Sequence, residues 1–117
     1  MIVQHAVEEL GLHIVSGQDL AREITGGYAS DLLSCAMAGG REGNVWVTLQ
    51  AHPNVVAVAS LVGMSAVIIT EGVVPDPETV RKAQENGVTL LATPKTTFAV
   101  VGELFALGVR GHARPDR

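Results

Sequence analysis

The spacing of hydrophobic positions changes several times along this chain. Val3, Val7 and Leu10 recur on one helical face, with Gly11 as a stop, which predicts a helix over residues 3–10. His13, Ile14 and Val15 predict a short strand turned by Ser16-Gly17. Residues 22–25 predict a second extended piece, closed by Gly26-Gly27. Apolar residues over 32–38 predict a helix that ends at Gly39-Gly40.

From Val45 onward the pattern is more regular. Residues 45–49 predict a strand. Pro53 suits a first helical position and Gly63 a stop, so 53–62 predicts a helix. A strand over 66–70 follows. Asp76-Pro77-Glu78 predicts the side-chain-capped start of another helix, stopped at Asn86-Gly87. A strand over 88–91 leads to a last helix, capped by Thr96 or Thr97, running through Leu107 and closed by Gly108. Strict strand–helix alternation implies a parallel sheet with right-handed crossovers. The fold class is therefore α/β: a single three-layer domain with a central, largely parallel sheet flanked by helices.

Composition narrows this further. At 117 residues one domain is expected, with residues 110–117 as a flexible, mostly basic tail after a domain over 1–109. Hydrophobic residues make up 47% and aromatics only 3%, so Val, Leu, Ile and Ala must build the core. The net charge of −4 lacks the footprint of a nucleic-acid binder. One cysteine, Cys35, excludes an internal disulfide and cysteine-rich metal sites. No leader peptide is visible, and the apolar run over 55–62 is too short to span a bilayer. These features predict a cytoplasmic protein without membrane contact.

Candidate chemistry gathers where parallel strands end, because their loops share one sheet edge. Those loops hold Gln50, His52 and Asn54, then Thr70 and Glu71, then Thr93, Lys95, Thr96 and Thr97. They form either a polar ligand site or a set of helix caps. Gly26-Gly27 reads as a tight turn with positive φ, or as backbone that cradles a phosphate. No P-loop lysine follows it, so ATP hydrolysis has no support. The four histidines lack paired ligand spacing, which argues against a metal. Cys35 reads as an inert thiol, and no base–nucleophile pair is apparent. The helix over 53–62 is apolar nearly all round, so it is either central or shared with a second subunit; the helix over 98–107 is a second candidate for that interface.

Arg22 with Thr25-Gly26-Gly27-Tyr28, then Ser30-Asp31-Leu32-Leu33, then the stretch from Trp46 to Ala59 give the chain a family resemblance. It resembles the DRTGG domain family, with Ala21 where that signature has an acidic residue. The resemblance implies a small α/β domain, usually an accessory part of larger proteins. Such domains accompany CBS domains in some pyrophosphatases, and their fold is similar to the N-terminal domain of HPr kinase/phosphorylase. Stand-alone copies resemble proteins encoded near hydrogenase genes. The combined expectation is a non-enzymatic regulatory or assembly module without a cofactor, forming a twofold homodimer. A small phosphorylated ligand or nucleotide would bind through Thr25, Gly26 and Gly27, or through Gln50, His52, Asn54, Thr93 and Thr96, with Arg22 and Lys95 as nearby cations. The alternatives are a docking subunit of a redox, hydrogenase-type complex and an accessory part of a phosphotransferase.

Overall fold

The computed structural model describes residues 1–112. The described residues form five strands and five helices, alternating from β2 onward: α1 (Val3–Leu10), β1 (His13–Ser16), β2 (Gly26–Ala29), α2 (Leu33–Gly39), β3 (Asn44–Thr48), α3 (Pro53–Val62), β4 (Ala66–Ile69), α4 (Pro77–Asn86), β5 (Leu90–Ala92) and α5 (Thr97–Ala106). The strands form one sheet in the order β1-β5-β4-β3-β2. β2, β3, β4 and β5 run parallel, as predicted for β3 to β5. β1 closes the far edge antiparallel to β5, pairing His13 with Ala92.

The alternation of side chains across a strand divides the core in two. Val45, Val47, Ala66 and Ile68 face α1 and α5. Trp46, Val67, Ile69 and Leu90 face α2, α3 and α4. β3 and β4 are buried throughout, so helices must cover both faces, which makes the three layers. The Trp46 indole N–H, deep in the second layer, donates to the Ser30 carbonyl at 2.9 Å.

Three details differ from the sequence expectations. The second strand is Gly26–Ala29 rather than residues 22–25. The backbone of 22–25 instead ties the start of the chain to the domain: Val3 N–H donates to Arg22 O, Ile24 N–H to Met1 O, and Thr25 N–H to Gly43 O. Asp76 precedes α4 but makes no side-chain cap. Residues 110–112 pack against β2, where the Gly27 amide donates to the Arg110 carbonyl at 3.0 Å. The rest of the expected tail, residues 113–117, lies outside the described residues.

The uniformly apolar α3 is explained by its position. It is the middle helix of its layer, with α2 on one side and α4 on the other. Val55, Val56, Val58 and Ala59 are buried, and Leu61 is the large apolar side chain left outside, at 73% exposure. α4 bounds this layer with a solvated stripe. A hydrogen bond from Arg81 holds the Glu78 carboxyl below its usual range, and the same pair raises the Arg81 guanidinium above its own.

Val58 is only 5% exposed, so a charge there has no path to water. Val58→Asp is expected to cost more than about 3 kcal/mol and to abolish cooperative unfolding. Circular dichroism through a thermal ramp checks it. A folded variant with an altered oligomeric state would instead place Val58 at a subunit contact.

Candidate functional site

The predicted site residues fall at two opposite ends of the sheet. Gln50, His52, Asn54, Thr93 and Thr96 lie where β3 and β5 end, at the carboxyl edge. Thr25, Gly26 and Gly27 lie where β2 begins, beside the start of β3. A single small ligand cannot span both groups.

At the carboxyl edge the polar groups bind one another. His52 is the N-cap of α3, its Nδ1 accepting from the Asn54 amide at 3.1 Å. Thr96 is the N-cap of α5, its hydroxyl accepting from the Ala99 amide at 3.1 Å. Thr93 is buried, and its hydroxyl accepts from the Lys95 amide at 3.2 Å. Gln50 Nε2 donates to the Asp31 carbonyl at 3.2 Å. Lys95 points away from the edge, donating to the Leu10 carbonyl at 3.0 Å and to Glu103 at 2.9 Å.

Two acidic residues organise this edge: Glu71, already placed in its loops, and Asp31, which the sequence reading did not place there. Asp31 Oδ1 accepts from the Thr48 hydroxyl at 3.0 Å and from the Leu49 amide at 2.9 Å, fixing the end of β3. Glu71 stands in the left-handed region at φ 64°. Its carboxylate accepts from the Thr97 amide at 2.7 Å, so it occupies the positive end of α5 where an anion would otherwise sit. The hydroxyls of Thr70 and Thr97 meet at 2.6 Å beside it. Next to this network lies an open, largely apolar hollow of about 240 Å³ between the 72–75 loop, His13 and Pro94.

At the opposite edge, Gly26 and Gly27 do not form a tight turn. Neither has a positive φ; that role falls to Gly43, at 81°. The reason for glycine in β2 is the strand's outer side. A Cβ on Gly26 would sit 2.8 Å from His112 Nε2 and 2.9 Å from the Arg110 carbonyl. A Cβ on Gly27 would sit 3.1 Å from the Val109 side chain. The glycines admit residues 109–112, and the Gly27 amide that could have met a phosphate binds Arg110 instead.

The signature arginine also has a structural task. Arg22 Nη2 donates to the Gly63 carbonyl and Nη1 to the Met64 carbonyl, at 2.6 and 3.1 Å. It places a cation on the carbonyls at the negative end of α3. Thr25 joins the same corner, donating to the Glu42 carbonyl at 2.8 Å and accepting from Asn44 Nδ2 at 3.4 Å.

Apolar side chains are exposed on α5. On α5, Phe98, Val101 and Phe105 are 90%, 40% and 58% exposed and share one face. Between α5 and β2 runs a groove of about 150 Å³, floored by Val47 and Leu104 and rimmed by Phe105 and Arg110. The Arg110 guanidinium lies 3.8 Å from the centre of the Phe105 ring. Among the described residues no group of His, Cys, Asp and Glu could hold a metal, and no helix is long and apolar enough to cross a membrane.

Comparison with known proteins gives a family match and a structural likeness. The DRTGG domain model matches residues 7–107. The structure is also similar to the CBS and DRTGG domains of the regulatory region of Clostridium perfringens pyrophosphatase, solved in complex with its activator diadenosine tetraphosphate. The TM-score is 0.74 at 16% identity, covering 88% of this chain and 45% of that one, so this chain spans less than half of the regulatory region. No curated protein matches.

Arg22→Ala is expected to lower stability by about 1.5–3 kcal/mol, because it leaves two carbonyls at the end of α3 without a charged donor. Urea unfolding measures it. Unchanged stability would mean that this arginine serves something other than the fold.

Proposed function

The chain belongs to the DRTGG domain family, and we propose that it is a non-enzymatic regulatory or assembly module that works by associating through α5. The observation that carries this reading is the exposed stripe of Phe98, Val101 and Phe105. Phe98 and Phe105 are one heptad apart and symmetric about the Val101-Gly102 pair. Two α5 helices packed antiparallel about a twofold axis at that pair would set each Phe98 against the partner's Phe105. Such an interface is self-complementary, as twofold dimers require. Gly102 has open space where a Cβ would stand, so it permits close approach of a second helix. Glu103, the charged residue of α5, is paired with Lys95 and adds no repulsion to the stripe.

The ligand half of the reading rests on family context. The similar pyrophosphatase region was solved with a dinucleoside polyphosphate activator, which makes adenine nucleotides the first class to test. The candidate place is the carboxyl edge around His52, Asn54, Thr93 and Thr96, beside the apolar hollow. A phosphate arriving there would have to displace the Glu71 carboxylate from the Thr97 amide. Binding would thereby free the Glu71 loop from the start of α5, the helix that carries the association stripe. No catalytic step is assigned to these residues. Docking onto a redox complex is the competing use of the same stripe.

Sedimentation at micromolar concentration is expected to give a dimer. Phe98→Asp should convert it to a folded monomer, because that side chain is open to solvent in one protomer. A monomeric wild-type protein would overturn self-association. For the ligand, amide shifts on adding diadenosine tetraphosphate are expected over residues 50–54, 71–72 and 93–97. No shift at millimolar concentration would remove the nucleotide from the proposal and leave the association intact.

A further inference from the structure

The outer edge of β2 holds residues 110–112, and one hydrogen bond there has a fixed polarity. Asn44 is fully buried at the start of β3. Its Oδ1 accepts from the Arg41 amide at 3.0 Å. A flipped side chain would turn its NH2 group toward that N–H, donor against donor, so the orientation is set by the backbone. The Asn44 Nδ2 group therefore points the other way. It lies 3.4 Å from the Thr25 hydroxyl oxygen and 3.1 Å from His112 Nε2. Thr25 in turn donates its own proton to the Glu42 carbonyl, so its oxygen accepts. For His112, the consequence is that this contact is a hydrogen bond only when Nε2 accepts, with the ring proton on Nδ1.

We infer that residues 110–112 form a pH-sensitive latch on the β2 edge, closed while His112 is neutral and released when its imidazole is protonated. Protonation places an N–H on Nε2, aimed at a buried NH2 that cannot turn over. The contact becomes donor against donor, while Asn44 keeps its bonds to Thr25 and Arg41. The Gly27 amide still donates to the Arg110 carbonyl at this edge. The latch closes as pH rises and opens as pH falls.

Among the described residues, the charged groups on the surrounding elements are Arg22, Glu23, Arg41, Glu42, Arg110 and the Met1 ammonium. Glu23 pairs with the Met1 ammonium at 2.9 Å. Arg22 is held on the carbonyls of Gly63 and Met64. Arg110 turns back onto Phe105, donating to the Phe105 carbonyl at 2.8 Å and the Val109 carbonyl at 3.0 Å. Arg41 contributes its backbone amide to Asn44, and Glu42 its carbonyl to Thr25.

Release would uncover the Gly27 amide, a strand edge able to pair with another extended segment. It would also unroof the groove between β2 and α5, whose rim includes Val109 and Gly111. The Gly-Gly pair of the family signature is thus the seat of a removable segment.

The test is amide hydrogen exchange at Gly27, corrected for intrinsic rates, on the full chain at about pH 8 and about pH 5. Protection in the wild type is expected to fall by about three- to tenfold at the lower pH. His112→Gln, whose amide oxygen can accept from Asn44 without titrating, is expected to hold protection at both values. Gly26→Ala, which crowds the Arg110 carbonyl, is expected to lose it at both. Nitrogen chemical shifts of the imidazole at pH 8 give an independent reading and should show the proton on Nδ1. Equal protection at the two pH values, an equal fall in His112→Gln, or a proton on Nε2 at pH 8 would each overturn the latch.

Discussion

The structure depends on two strands that must be dry on both faces. β3 and β4 offer water nothing: every residue of both is buried. A sheet with such a centre can exist only between two helical layers. Five helices must then be shared between two faces, and the division is unequal. Three of them, α2, α3 and α4, cover the face that holds Trp46. Two, α1 and α5, cover the other. The middle helix of the triplet can be apolar all round because neighbours flank it. α5 has no such protection, and its outer stripe meets solvent. The difference between the two apolar helices is therefore one of position rather than composition.

That difference marks the boundary of what sequence could disclose. The strands at 45–49, 66–70 and 88–91 were legible because β-branched residues, stop glycines and helix starts agree with one another there. Their parallel pairing followed from the alternation. The DRTGG membership was legible from Arg22, Thr25, Gly26 and Gly27. The work those residues do was not, because each acts on a partner far along the chain. Arg22 answers to carbonyls 41 and 42 residues away. Gly26 and Gly27 answer to residues 109–112. A glycine pair is locally ambiguous between turn and strand, and only the long-range contact decides it. The same holds for Val58, whose environment depends on where α2 and α4 come to lie.

The loops after β3, β4 and β5 share one edge of the sheet, as their parallel order requires, but the state of that edge could not be read. His52 and Thr96 cap helices, as their loop positions allowed. What spacing could not show is that Asp31 and Glu71 reach across from other loops and occupy the donors nearby. Among the described residues no buried side-chain polar atom lacks a partner. An edge satisfied in this way costs free energy to open, since any ligand must replace bonds of about 1 kcal/mol net each. Affinity would have to come from charge, as with a phosphate exchanging for Glu71, or from the apolar hollow beside it.

The two ends of the sheet are therefore not equivalent, and α5 connects them. Its first turn rests on Thr70, Glu71 and Thr96 at the carboxyl edge. Its last turn passes through Phe105 and Leu107 into residues 109–112, which lie on the outer side of β2. The exposed stripe sits between these anchors. α5 is thus held by two buried anchors, Val100 and Leu104, and by polar ties at its two ends. The core fixes where α5 lies, and the polar ties at its ends, each small beside the buried area under β3 and β4, set how readily its outer face is presented.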